Sequence, residues 1–327
     1  MIGLSNTRGR LIVTGTGGAS GYSLALEAEQ CGYQVLWADA DLLSPALLLH
    51  PERRVVLPLA NDPMDYIPAL TRAAEEFGTQ YISLNTDAEV RLASFCATAF
   101  ANAGLQCWTP EWATVNDCTD KSRFELRLAS IDGFRTPRTY SVDEVSKRLP
   151  DGGVFLKRRI GSGATDALPC TSQLQLDAWL ARNPDGLIQQ LLTGEEFSAD
   201  CLYTGLDSPL VVLRRRLRTR SGMSTVTTTY HDDRVETAVS GLVRQLGVVG
   251  PACVQGFVES DGIYFTEINV RFGGGCAAAI WGGTSLVEIY LDLLTTQSRR
   301  LGTTIPPVRA ESEVSLIRPH SYVVVSS

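Results

Sequence analysis

Residues 11–110 alternate short apolar runs with amphipathic stretches of helical period, and this alternation restricts the fold more than any other feature. RLIVTG reads as a strand, SLALEAEQCG as a helix stopping at Gly32, and YQVLWAD as the next strand. DYIPALTRAAEEFG is a helix ending at Gly78, QYISLNTD a third strand, AEVRLASFCATAFANAG one long helix, and LQCWTP a fourth strand. Strands separated by helices do not pair as hairpins. They align in parallel through right-handed crossovers, with the helices covering the sheet. The first unit is therefore an α/β layer structure spanning residues 1–115.

The rest of the chain has a different rhythm. Residues 111–135 read as helical up to DGFRTP, and GGVFLKRRIGSGATDA gives a strand, a basic cluster and a glycine-rich loop. A helix at 172–183 and the strand GLIQQLL follow. From residue 194 the segments EEFSADCLYTG, SPLVVLRRRLRTRSG and STVTTTYHD suit hairpin-linked antiparallel strands. A helix at 233–246 leads to GPACVQGFVESDGIYFTEINVRFGGG, where SDG signals a tight turn between two strands. A helix at 284–295 and a strand near 313–325 complete the pattern.

Composition excludes several classes. A chain of 327 residues has room for two or three packed units. A net charge of −7 argues against a non-specific nucleic-acid binder, which needs a basic surface. No apolar run approaches the ~20 residues of a membrane span, and the first ten residues are too polar for a secretory leader. Eight cysteines occur without a CxxC pair or zinc-like spacing. They read as free, mostly buried thiols in a reducing cytoplasm.

The segment VQGFVESDGIYFTEINVRFGGG concentrates the chemistry. Side chains on a strand alternate, so Glu267, Asn269 and Arg271 share one face, and Gln255 lies on the paired strand. A carboxylate and amide oxygens on a rigid sheet, near phosphate oxygens, meet the demands of Mg²⁺. The alternative is a polar surface face on an edge hairpin. Upstream, an ammonium (Lys157) followed by a flexible glycine loop suits a polyphosphate.

These segments resemble, in order, the motifs of ATP-grasp enzymes, in particular those similar to the large chain of carbamoyl phosphate synthetase. FTEINVRFGGG resembles the metal-binding signature, with Val270 where Pro is common. CTDKSRF resembles the Asp-Lys pair, VFLKRRIGSGATD the strand and loop over ATP, and LIQQLLTGEEFSAD the adenine and ribose segment. The resemblance implies a Rossmann-like N-terminal domain (1–115), a small α+β lid subdomain (116–190) and a larger C-terminal antiparallel-sheet subdomain (191–327). It implies nucleotide contacts from Lys121, Lys157, Gly161, Ser162, Gly163, Glu196 and the backbone of Gln190, Leu191 and Leu192. Gln255, Glu267 and Asn269 would hold Mg²⁺ or Mn²⁺. Arg158 stands where the family has Pro, Asp166 where it has a small residue, and Gln190 where it has Glu.

VLRRRLRTRSG places Arg214, Arg216 and Arg220 on one strand face, either solvated or holding an oxyanion through the planar guanidinium fork. Arg216, then Arg271, are the catalytic candidates. His50 and His320 read as surface residues and His231 as structural. The implied activity is an ATP- and Mg²⁺-dependent carboxylate–amine ligase that activates a small carboxylate, such as an amino acid, as an acyl phosphate. A homodimer is the default assembly. Two rival classes stay open: a nicotinamide-dependent oxidoreductase and an ATP-binding protein without turnover.

The first rival rests on TGTGGASG, residues 14–21. A dinucleotide fingerprint needs G-x-G-x-x-G after a strand. Gly15 and Gly17 fit, Ser20 takes the third position, and Gly21 comes one residue late, while Asp39 ends the second strand where a ribose-binding acid belongs. Beside the downstream motifs, the loop reads as a strand-to-helix turn that faces the substrate rather than the nucleotide.

Overall fold

The computed structural model describes residues 7–161, 166–220, 223–297 and 313–317. In the first part, β1 (Gly9–Val13), α1 (Ala19–Gln30), β2 (Tyr33–Asp39), α2 (Pro45–Leu49), β3 (Arg54–Val56), α3 (Pro63–Phe77) and β4 (Ile82–Ser83) build a parallel sheet of order β3-β2-β1-β4. Its β1 and β2 register pairs Leu11 with Val35 and Val13 with Trp37, and these side chains are fully buried. Such apolar runs, buried on both faces, are what a helix-covered parallel sheet requires.

Two sequence expectations change here. Leu105–Trp108 is not a fourth full strand; only a Tyr81–Gln106 parallel bridge forms, and Arg54–Val56 supplies the remaining strand at the opposite edge. The long helix is two, α4 (Asp87–Phe95) and α5 (Ala97–Asn102), separated at Cys96. Four residues between Phe95 and Phe100 are alanine, cysteine or threonine, too little apolar bulk to hold a continuous helix on the core; only Phe100 of α5 is buried.

Helices α6 (Trp112–Thr119) and α7 (Lys121–Ala129) lead to β5 (Thr139–Tyr140), α8 (Val142–Val145), β6 (Val154–Lys157), β7 (Leu168–Cys170), α9 (Gln173–Leu180) and β8 (Leu187–Gln190). These four strands form a separate antiparallel sheet, β5-β8-β6-β7. Val145, Val154, Leu156, Leu176, Trp179 and Ile188 make its own small core.

The central sheet is built from β9 (Glu195–Tyr203), β10 (Leu210–Arg220), β11 (Met223–Tyr230), α10 (Asp233–Leu246), β12 (Gly250–Glu259) and β13 (Gly262–Asn269). The short β14 (Ile280–Trp281) and β15 (Thr284–Ser285), then α11 (Leu286–Thr296) and β16 (Ser315–Ile317), follow. The six-stranded order is β13-β12-β9-β10-β11-β16, with its strand pairs antiparallel. Of the strand expected near 313–325, the part beyond Ile317 lies outside the described residues, as does His320.

Helix α10 shows how local sequence docks an element. The Asp232 carboxylate accepts from the Arg234 and Val235 amides and caps its start. Val235, Val239, Leu242, Val243 and Leu246 recur at helical spacing and are buried on one face. Each such side chain contributes about 1.5–3 kcal/mol by leaving water. All eight cysteines are free thiols, five of them buried. Among the described residues, no helix is long and apolar enough to cross a membrane.

Candidate active site

The ends of β1 and β4, the inner face of the small sheet and the face of the central sheet enclose one cleft of about 660 Å³. Its lining brings together Lys121, Lys157, Gly161, Gln190, Leu191, Leu192, Glu196, Arg216, Gln255, Glu267, Asn269 and Arg271. These are all the sequence candidates except Ser162 and Gly163, which lie outside the described residues.

The hairpin β12–β13 sets the metal candidates. Register places Gln255 directly opposite Glu267 and Cys253 opposite Asn269, and the ladder shifts by one residue between Gln255 and Gly256. Asn269 donates its amide N–H to Glu267 Oε1 at 3.0 Å, and Lys121 Nζ lies 3.7 Å from Glu267 Oε2. The set offers one carboxylate and two amide groups. Among the described residues, no cluster of three His, Cys, Asp or Glu side chains could hold a metal unaided. Such a donor set fits Mg²⁺ only when phosphate oxygens supply the remaining negative charge.

Two lysines face the same space. Lys157, the last residue of β6, is 6% exposed and donates to Thr266 O at 2.9 Å. Burial pushes its ammonium down to about 8, opposed by the charges of Glu267 and Glu125. Lys121 opens α7 and donates to Gly161 O at 2.8 Å. Its neighbour Asp120 caps α7 and receives the Arg159 guanidinium through Nε and Nη2 at 2.7–3.0 Å. Asp120 and Lys121 thus clip the chain just after β6 to the start of α7. Arg158 is exposed at the cleft edge. Asp166 is exposed with φ 59°, and its carbonyl accepts from Trp179 Nε1, so its carboxylate projects into solvent.

The arginine strand divides. Arg214 is buried and paired with buried Asp200 at 2.5 Å, while Arg216 pairs with Glu196 on β9. The β10–β11 ladder shifts after Arg216, which interrupts the alternation before Arg218, and Arg218 is exposed. The side chain of Arg220 lies outside the described residues. Glu196 and Arg216, read separately from sequence, therefore form one pair at the cleft wall. The Gln190 side chain accepts from the Arg138 amide at 3.4 Å, and the Gln190 backbone N–H donates to Arg138 O at 2.7 Å.

Sequence reading missed Asp87 and the Asp200–Arg214 pair. Asp87 opens α4 just after β4, and its Oδ1 sits 2.9 Å from Arg271 Nε. Burial alone would lower the Arg271 pKa, but the Asp87 charge outweighs it and raises it. The position was readable in principle, because ligands gather at the carboxyl ends of parallel strands and NTDAEV carries a capping-box pattern there.

The two expectations for histidines part ways. His231 Nδ1 meets Glu236 Oε1 at 3.0 Å at the start of α10, which is structural. His50 is not a plain surface residue: its ring stacks on Trp37 with centroids 3.8 Å apart at 8°. Stacking on an indole buries part of the imidazole surface, and this burial lowers its pKa.

In TGTGGASG, the Gly17 N–H donates to Asp39 Oδ2 at 2.7 Å, and Asp39 Oδ1 accepts from Asp41 N at 2.9 Å. The loop and the acid that a dinucleotide would need are engaged with each other.

Residues 182–317 match the family model described as ATP-grasp in the biosynthetic pathway with Ter operon. No curated protein matches the chain. Among solved structures, an L-amino acid ligase from Bacillus licheniformis is 18% identical with TM-score 0.69, covering 94% of this chain and 78% of that one. An N5-carboxyaminoimidazole ribonucleotide synthetase from Thermus thermophilus is 17% identical with TM-score 0.67, covering 94% and 82%. A biotin carboxylase from Campylobacter jejuni is 13% identical with TM-score 0.69, covering 95% and 75%. These likenesses extend over nearly the whole chain, including the parallel-sheet part that the family model leaves out. Residues 182–317 are thus similar to an ATP-grasp family, and the chain as a whole shares the fold of these three enzymes.

Proposed function

We propose that the protein is an ATP- and Mg²⁺-dependent ligase that joins a small carboxylate, such as an amino acid, to an amine. The observation that carries this reading is the convergence of Lys121, Lys157, Glu267, Asn269 and Arg271 on one cleft in a site with a single metal-directed carboxylate. Two related folds are an L-amino acid ligase and a carboxyaminoimidazole ribonucleotide synthetase.

In this reading, the backbone of Gln190–Leu192 meets the adenine edge, and Glu196 accepts from the ribose hydroxyls. Lys157 and Lys121 hold phosphate oxygens, with the backbone after Gly161 closing over them. Gln255, Glu267 and Asn269 would hold Mg²⁺, and the ion would supply positive charge beside the phosphate oxygens. Arg271, with Arg216 beside the ribose, offers N–H donors to the oxyanions that develop during transfer. The enclosed cleft keeps water from the acyl phosphate until the amine attacks. The chain divides near residues 115 and 190 into three units and works in the cytoplasm, as a homodimer, on small-molecule carboxylate and amine substrates.

The test is ADP release with pools of carboxylates and amines. The expected result is ADP formation that needs both pools and Mg²⁺, and that Glu267→Ala removes. ADP release unchanged in Glu267→Ala sinks the assignment.

A further inference from the structure

This inference rests on the proposed ligase reading and concerns what aims Arg271. The guanidinium follows the metal candidates by two residues, yet its charge partner comes from the parallel-sheet part of the molecule. Arg271 Nε lies 2.9 Å from Asp87 Oδ1, and Nη2 donates to Asp87 Oδ2 at 3.2 Å. Nη2 also reaches Asn269 Oδ1 at 3.4 Å, and Nη1 donates to Phe272 O at 3.2 Å. Of the five N–H groups of a guanidinium, the Nε–H and one on Nη1 have no hydrogen-bond acceptor among the described residues, the Nε–H facing Asp87 as an ion pair, and Arg271 borders the cleft.

The Arg271 side chain is 14% exposed. A cation so enclosed is costly unless a counter-charge is fixed beside it. Asp87 is fixed. It sits between Thr86 and Glu89, which close a reciprocal capping box around the start of α4. Glu89 is itself buried, accepting from the Thr14 hydroxyl at 2.7 Å and the Tyr66 hydroxyl at 2.9 Å. Hydrogen bonds thus anchor the backbone on either side of Asp87 to the core of the parallel sheet, and the Asp87 carboxylate in turn meets the Arg271 guanidinium.

We propose that Asp87 is the positioning residue for Arg271. It holds the guanidinium plane so that Nη1 points at the phosphoryl group in transfer, and it keeps Arg271 off Glu267, the other carboxylate whose charge acts on it. The parallel-sheet half is therefore part of the reaction apparatus, through a residue 184 positions from its partner.

The probe is Mg-ADP with and without fluoroaluminate, a planar mimic of the transferring phosphoryl group, measured by calorimetry and by ADP retention on gel filtration. Asp87→Asn keeps the side-chain volume and the helix start. The expected result is Mg-ADP affinity within about twofold of wild type, an unchanged melting temperature, and fluoroaluminate-dependent ADP retention at least about tenfold weaker. Arg271→Gln is expected to lose retention similarly, and the double variant to lose no more than Arg271→Gln alone. If Asp87→Asn fails to fold, Asp87→Glu carries the same comparison, because a longer carboxylate keeps the charge but moves the guanidinium. Retention equal to wild type, or losses that multiply in the double variant, overturns the proposal. Wild type that binds Mg-ADP but traps no fluoroaluminate overturns it too. Wild type that binds no Mg-ADP sinks the ligase reading itself, a distinguishable result.

Discussion

Two glycine-rich turns face the same cleft, one after β1 and one after β13, and they are seated differently. In TGTGGASG, a Cβ on Gly21 would sit 2.3 Å from Gly15 O, so this glycine lets α1 lie against the preceding strand end. A Cβ on Gly18, by contrast, would meet nothing nearer than 3.3 Å. In the second turn, a Cβ on Gly275 would sit 2.3 Å from Arg214 Nη1, directly over the buried Arg214–Asp200 pair. The first turn serves packing between backbone elements, and the second rests on a buried charge pair beside the metal candidates. Glycine spacing alone does not separate these cases; what lies under each glycine does.

The contrast can be broken in several ways. The largest expected effect is on turnover. Glu267→Gln, next to the second turn, is expected to lower ADP release by at least about a hundredfold, whereas Asp39→Asn, which locks the first turn, leaves it within about threefold. Equal losses from both would erase the functional difference between the turns. Stability comes next. Gly275→Ala drives a methyl into the Arg214 guanidinium and is expected to cost about 3 kcal/mol, by overpacking and by straining a buried pair. Gly18→Ala should change stability by less than about 1 kcal/mol. Urea denaturation of the two variants compares them, and similar values would show that the second turn relaxes freely.

A smaller effect follows pH. The Lys157 pKa is lowered to about 8 by burial, so between about 8 and the ordinary value of 10.5 the unfolded chain binds more protons than the folded one. Stability of the free protein therefore rises with pH in that window. Under the proposed function, nucleotide affinity runs the other way, because the ammonium assigned to phosphate is lost. Calorimetry with Mg-ADP should show up to about a tenfold loss from pH 7 to 9, and Lys157→Arg should abolish the slope. The smallest effect lies outside both turns. Glu288→Gln removes the partly exposed pair with Arg8 and should cost less than about 1 kcal/mol in the same urea assay.

How much was legible varies with the range of the interactions involved. YQVLWAD is strand β2 to the residue, and residues 233–246 are helix α10, because an unbroken apolar run and a five-residue buried face leave no alternative. The face shared by Glu267 and Asn269, with Gln255 opposite, followed from strand alternation and a two-residue turn. LQCWTP has equal local claim to be a strand, but only Gln106 finds a partner. The pairing of Arg216 with Glu196 depends on the β9–β10 register. Asp87 has a readable place at a helix start, but its pairing with Arg271 depends on two halves folding against each other, and no local pattern encodes that.

The apolar interior has a thermodynamic consequence. One buried cluster runs from Ile12 and Tyr66 to Phe197 and Val254, and another from Trp37 to Tyr290, so the parallel sheet and the central sheet are expected to melt as one cooperative block. The small sheet, around Leu156, Trp179 and Ile188, holds a core of its own and can open at a lower free energy. Amide exchange at Leu156 and Ile188 should then outpace that at Val254 in the free protein. Under the proposed function, a nucleotide held between Lys157 on the small sheet and Glu196 on the central one would tie the blocks together, so its binding would register as the fusion of two unfolding transitions into one.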